Sequence, residues 1–401
     1  MSGSRKIEAS LRSRRAGLVN ALASRLLWLK ATVLVAFCIG LAMSRPLWIG
    51  PRSYPAAPVL PVFALIDGVM ALGLYVVLFA LAAIALVTAK PRWFIAAFLT
   101  VMAIFCLGDQ TRWQPWVFQY SFLLLAIAVY CRDGADGEQR TLSIARLIIA
   151  STYIYSGLQK INPNFMENDF PWLVQPLTRL FPSAAGPLDG FGMVAPFIQV
   201  GFGIGLLTRR FRAASLIAAV AMHLFILLMF GPAGLDWNDI VWPWTAAMAV
   251  FDVVLFAGDP AVSLRDILRG RDPAHVAVVI LFAVLPGLSF FNLWDSYLSA
   301  ALYSGNLTEA QLYLSDAGKA SLPPGIASRL VHTSANTNVL NLQRWAIEDL
   351  NVTPYPETRV YKAIAGSVCR DMRDPAQLVL IVRESRMFFS RPEAGFRCAE
   401  L

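Results

Sequence analysis

Nine runs of apolar residues, separated by short polar breaks, occupy most of the first 291 positions of the chain. They extend approximately over Leu26 to Met43, Phe63 to Thr88, Trp93 to Leu107, Trp116 to Tyr130, Ser143 to Gly157, Phe191 to Leu207, Ala213 to Phe230, Trp242 to Phe256 and Val276 to Phe291. A helix crosses a bilayer with about 20 mainly apolar residues, or somewhat fewer where neighbouring helices cover its ends. The pattern predicts an all-α polytopic membrane protein of about nine transmembrane helices, with residues 26–291 as the membrane domain and residues 1–25 as a basic leader. No small-residue cleavage site precedes or closes the first run, which therefore reads as a signal anchor.

From Asn292 onward the pattern becomes that of a soluble module. The stretches "VLNLQRWAIEDL" and "PETRVYKAIAGSVCRDM" carry helix signals, the first stopping before "NVTPYP" and the second opened by Pro356. "QLVLIVRES" alternates at period two and is rich in aliphatic and β-branched residues, as a strand does. Residues 292–401 are thus expected to form a small α+β domain.

Composition sharpens the class: 57% hydrophobic and 15% charged residues lie outside the range of soluble domains. Charge sets an orientation, because short basic loops stay on the cytoplasmic side. Arg5, Lys6, Arg12, Arg14, Arg15 and Arg25 precede the first run, and Lys90, Arg92, Arg132, Arg140, Arg209, Arg210, Arg212, Arg265, Arg269 and Arg271 fall in alternate loops. The expectation is a cytoplasmic N-terminus and an exterior C-terminal domain, periplasmic if the membrane is a bacterial inner membrane. The net charge of +8 then reflects topology and acidic lipids, with no patch that argues for nucleic acid.

Cys38, Cys106 and Cys131 sit in or beside apolar runs, whereas Cys369 and Cys398 are the two in the exterior domain and form a candidate disulfide in an oxidising compartment. "NLT" at Asn306 and "NVT" at Asn351 match the short glycosylation pattern. Nucleotide loops, zinc spacings and hydrolase elbows are missing, so neither a metal nor a nucleotide is indicated. "GFGIG" at Gly201 falls inside an apolar run, where small residues more often allow close helix packing than phosphate binding.

Chemistry must come from polar residues in and beside the membrane, which are expensive there and tend to face protein or a water-filled cavity. Asp67, Lys160 and His223 fall toward the exterior ends of their runs. Arg146 and Asp252 fall toward the opposite ends, where an ion pair between them is a structural reading. The loop "GPAGLDWNDIVWPW" adds Asp236, Trp237 and Asn238 to the exterior set, and Tyr153, Gln159 and Asn162 flank the lysine in "YIYSGLQKINPNF". Lys160 has two readings. A snorkelling lysine is a topology anchor, while a desolvated one loses its proton readily and serves as a base. For His223 the alternatives are a helix-helix hydrogen bond or a functional group.

"SGLQKINPNF" from Ser156 and "GFGIGLLTRRFRAASLIAAVAMHLFILLMFGPAG" from Gly201 resemble the core of the HTTM family, the membrane module of vitamin K-dependent γ-carboxylase and its bacterial relatives. The resemblance covers roughly residues 140–258. It implies that Lys160 matches the family's catalytic-base lysine, that His223 matches its helix histidine, and that a quinone or vitamin K-like lipid is the cofactor. A looser similarity to DoxX-like membrane proteins places Gln199 where those proteins usually carry a glutamate. The leading expectation is an enzyme with Lys160 as base, His223 and Asn238 as orienting groups and Trp237 as a pocket wall. The alternative is a non-catalytic membrane scaffold whose exterior domain binds a protein partner; a transporter is disfavoured because no repeated halves are evident.

Overall fold

In the computed structural model, each of the nine apolar runs lies on a helix. The structure describes residues 25–131, 133–258, 267, 270, 272–334, 336–385 and 392–401; the basic leader before Arg25 and Arg132, Arg265, Arg269 and Arg271 lie outside them. Six described helices are long and apolar enough to cross a membrane: α1 (Arg25–Met43), α2 (Gly68–Val87), α5 (Gly134–Gln159), α6 (Ala185–Leu206), α7 (Arg212–Phe230) and α9 (Pro273–Phe291). Three apolar helices between them are shorter: α3 (Arg92–Gly108) has 17 residues, and α4 (Pro115–Tyr130) and α8 (Val241–Phe256) have 16 each. At 1.5 Å per residue, 16 residues reach about 24 Å, less than the roughly 30 Å of a bilayer core. Six long apolar helices are compatible with a membrane protein, and the shorter three need help from their neighbours if they are to cross.

α5 is the hub. Its apolar window is 72% buried, against 28% for α2, α7 and α9, so α5 is sheathed by protein while the others turn a face outward. Close approach explains how α6 covers it. A Cβ on Gly157 would lie 2.9 Å from the Pro196 carbonyl oxygen, and one on Gly203 would lie 3.0 Å from the Tyr153 Cβ. The "GFGIG" stretch is thus a packing surface, as small residues in apolar helices tend to be.

α9 is broken by Pro286, which has no N–H to donate. The chain widens to a π-helical turn over Ile280–Val284 and then tightens to a 3-10 helix over Leu285–Phe291. Side chains of α5 use the irregular backbone: the Tyr155 hydroxyl donates to the Ala283 carbonyl at 2.7 Å, and the Gln159 amide donates to Ser289 Oγ at 2.7 Å.

The C-terminal domain has five antiparallel strands, β1 (Glu309–Leu314), β2 (Val331–Ser334), β3 (Thr337–Asn341), β4 (Leu378–Arg383) and β5 (Glu393–Arg397), in the order β2-β3-β1-β4-β5. Helices α10 (Leu342–Leu350) and α11 (Thr358–Arg370) bring Trp345, Ile364 and Val368 to its core. Both expected helices and the strand at "QLVLIVRES" are present, although Val339–Asn341 of the first helical signal belongs to β3. A disulfide joins Cys369 to Cys398 across 29 positions, and closing a loop of that size contributes about 2–4 kcal/mol. Cys38, Cys106 and Cys131 are free thiols.

The loops after α1, α3, α5 and α7 meet this domain at one end of the bundle. The Asp349 carboxylate accepts from the Ser53 and Tyr54 amides at 2.8 and 2.7 Å. Gln114 donates to the Thr353 carbonyl at 2.8 Å, Asn162 to the Ser304 carbonyl at 2.7 Å, and Asn238 to the Tyr303 hydroxyl at 2.7 Å. The two glycosylation matches fall within this junction. Asn306 is buried, donates to Gln159 Oε1 at 2.6 Å and accepts from Ser385, and Asn351 donates to the Met43 carbonyl at 3.1 Å. Both amides act as struts.

Candidate functional site

The domain end of α5 carries polar groups on one face, because residues four apart on a helix are neighbours. Thr152, Ser156 and Lys160 follow that spacing, with Lys160 as the C-cap. The lysine does not extend away from the helix. Its Nζ folds back to donate to the Ser156 carbonyl at 3.0 Å and to Ser156 Oγ at 2.6 Å, with the Phe165 ring centroid 5.9 Å away.

Lys160 lines a cavity of about 130 Å³ enclosed by α5, α6, α7 and α8. That volume is close to the roughly 150 Å³ apolar cavity known to admit one benzene ring. Aromatic and aliphatic groups dominate its wall, with Trp244 held by a chain of bonds: its indole donates to Gln119 Oε1 at 2.9 Å, and Gln119 donates to Thr152 Oγ1 at 3.1 Å. Ser156, Gln199 and Thr245 supply further polar atoms.

The roof is built from two loops. One carries Phe165, Asp169 and Trp172, the other Ala300, Leu302 and Tyr303. Ala300 and Tyr303 adopt left-handed backbone with φ of 56° and 52°, which costs a residue with a Cβ. The surrounding contacts hold them: the Tyr303 ring lies 4.9 Å from Phe230 and 6.0 Å from Trp172, and its hydroxyl takes the Asn238 hydrogen bond.

The floor lies deeper. Tyr153 is seven residues before Lys160, or about 10 Å along the helix. Its hydroxyl sits 2.6 Å from His223 Nε2 and 2.7 Å from Asp252 Oδ2, while the histidine and aspartate are 3.8 Å apart. Gly203 permits this placement by letting α6 lie against Tyr153, whose ring meets Phe202 edge-on at 5.1 Å. Among the described residues, no three His, Cys, Asp or Glu side chains converge as metal ligands.

Tyr153, Lys160 and His223 therefore share one cavity, and the other expected residues surround it in different ways. Asn238 and Trp237 brace the roof, the latter edge-on to Trp172 at 6.0 Å. Gln159 and Asn162 form an amide network behind it that reaches Ser289, Ser304 and Asn306. Two expectations need correction. Asp67 lines a separate cavity with Arg52 and Arg112, formed by the loop after α1 against the start of α2 and the end of α3. Asp236 is exposed, since the tight turn after Gly231 directs Asn238 inward instead. Asp252 also differs from its expected surroundings: it reaches Tyr153 and His223, while Arg146 Nε donates to the Leu255 carbonyl at 2.7 Å.

No protein-family model, curated protein or solved structure matches the chain.

Proposed function

We propose that the cavity beneath the C-terminal domain binds a lipophilic, ring-bearing molecule of the quinone type and that Lys160 is the base acting on it, in an enzyme of the HTTM kind. The observation that carries this reading is the placement of Lys160. A snorkelling anchor extends toward water, but this lysine folds back over a cavity of ring size. A neutral amine has two N–H groups and one lone pair. With both N–H groups committed to Ser156, the lone pair is left to take a proton from a ligand. His223 and Asn238 orient the ligand and the roof, and the aromatic wall excludes water.

The nine-helix topology, with the cavity opening toward the exterior side, is part of the same proposal. It rests on the alternation of basic loops along the chain. Alkaline phosphatase fused after Leu401 is expected to be active; an inactive fusion, with a cytoplasmic reporter active at the same point, reverses the orientation.

Organic extraction of the purified protein followed by mass spectrometry tests the ligand class. A ring-bearing lipid retained in stoichiometric amount is the expected result. A preparation that holds bulk phospholipid alone and gains no thermal stability from added short-chain quinones would remove the proposal and favour a scaffold.

A further inference from the structure

The floor of the cavity holds a second group of proton-bearing side chains that the role of Lys160 does not use. His223 lines the cavity and is 5% exposed, and its Nδ1 has no hydrogen-bond partner among the described residues. Its other nitrogen is engaged by Tyr153, which in turn reaches Asp252, a fully buried residue behind the cavity wall. A buried imidazole nitrogen without a partner costs free energy unless a ligand meets it.

We infer that Asp252, Tyr153 and His223 form one relay, in which His223 Nδ1 meets an ionisable hydroxyl on the ligand and Tyr153 and Asp252 are positioning residues that set the protonation of that nitrogen. This inference rests on reading the cavity as a ligand site. Hydrogen counting gives two states. With Asp252 ionised, the Tyr153 hydroxyl donates to the carboxylate and His223 Nε2–H donates to the phenol oxygen, leaving a lone pair on Nδ1. That lone pair accepts from a ligand hydroxyl.

If the ligand proton passes to Nδ1, the Nε2 proton moves to the Tyr153 oxygen and the Tyr153 proton moves to Asp252 Oδ2. The O–H bond of the ligand and the original O–H bond of Tyr153 break, while an N–H bond forms on Nδ1 and an O–H bond forms on Asp252. Along the way one N–H bond on Nε2 is exchanged for an O–H bond on Tyr153, and no electron is transferred. The ligand is left as an oxyanion facing Nδ1–H, and its negative charge has been exchanged for that of Asp252. The class of ligand that fits is an apolar ring with an acidic hydroxyl, because a ring without one has nothing to give Nδ1.

The chain contains three histidines, which makes imidazole nitrogen NMR of the full-length protein in micelles a direct readout. His275 and His332 lie outside the cavity lining and report on folding. The probes are 4-nitrophenol and nitrobenzene. Nitrobenzene is expected to move the His223 signals without changing which nitrogen is protonated, while 4-nitrophenol converts His223 from the Nε2–H to the Nδ1–H form. In Asp252→Asn the 4-nitrophenol signal shift is expected to remain and the conversion to disappear. Tyr153→Phe gives the same loss by cutting the connection, should Asp252→Asn fail to fold. Conversion that persists in either folded variant, or wild-type signals that move without conversion, overturns the relay alone. If neither probe moves the His223 signals, the ligand-site reading falls and the relay with it.

Discussion

Lys160→Arg is expected to lower turnover of the extracted ligand by about 10²-fold or more, the scale of a lost general base, while yield and melting temperature stay at wild-type values. Arginine is of similar length and keeps the capacity to donate to Ser156. It does not give up its proton in any accessible pH range. The substitution therefore separates the two readings of the lysine. Anchoring by a cation at the helix end survives it, because arginine snorkels as well as lysine, whereas proton abstraction does not. Ser156→Ala is expected to cost less, since the carbonyl at 3.0 Å remains to hold the amine. A purified Lys160→Arg protein that turns over the ligand at the wild-type rate would return Lys160 to a topological role.

Asp109→Asn is expected to be the most destabilising single change at the junction, by about 3 kcal/mol. Removing one partner of a buried ion pair typically costs about 3–5 kcal/mol, and the partial exposure of Arg52 places this case at the lower end. The Asp109 side chain is 1% exposed and that of Arg52 15%, with Nη1 to Oδ2 at 2.7 Å. The other carboxylate oxygen accepts from the Ala57 and Thr111 amides at 3.2 and 3.0 Å. Nearby, Arg112 donates to the Leu47, Phe105 and Trp48 carbonyls at 3.0, 2.9 and 3.3 Å. Burial by itself raises the pKa of Asp109, but the guanidinium groups of Arg52 and Arg112 outweigh it and hold the carboxyl below its ordinary value. A depressed carboxyl contributes stability that is present above the unfolded-state pKa, near 4, and is lost as pH falls through the lower folded-state value. Thermal unfolding in detergent should therefore fall on acidification below about pH 4 in the wild type. Asp109→Asn should start lower and lose this part of the pH dependence. An unchanged melting temperature would mean that the arginines are satisfied without the carboxylate.

The parts of this molecule that repeat along the chain were readable from it. Apolar runs mark the helices because lipid and core both select apolar side chains, and the strand at Leu378–Arg383 is marked by five consecutive aliphatic residues. The pairing of Cys369 with Cys398 was readable from number, since they are the two cysteines after residue 291. Lys160 and His223 could be singled out because a charge or an imidazole in an apolar run is rare. What could not be read was contact between distant segments. Tyr153 is one of many aromatics, and nothing in its neighbourhood distinguishes a residue that bridges His223 and Asp252. Asp252 stands at an expected helix end when counted along α8, and only the packing of α5 against α7 and α8 brings it into the same group. Asp67 failed for the converse reason: similar depth along a helix says nothing about which neighbour it faces.

The roof over Lys160 has a consequence for the order in which the protein is made. Ala300, Leu302 and Tyr303 follow α9, so a ribosome that has finished α1 to α8 has released every wall of the cavity and the first of its two roof loops, but not the second. Until Tyr303 emerges and accepts its hydrogen bond from Asn238, the domain end of α5 has only half of its roof. The site over Lys160 is therefore complete only once the last quarter of the chain has been made.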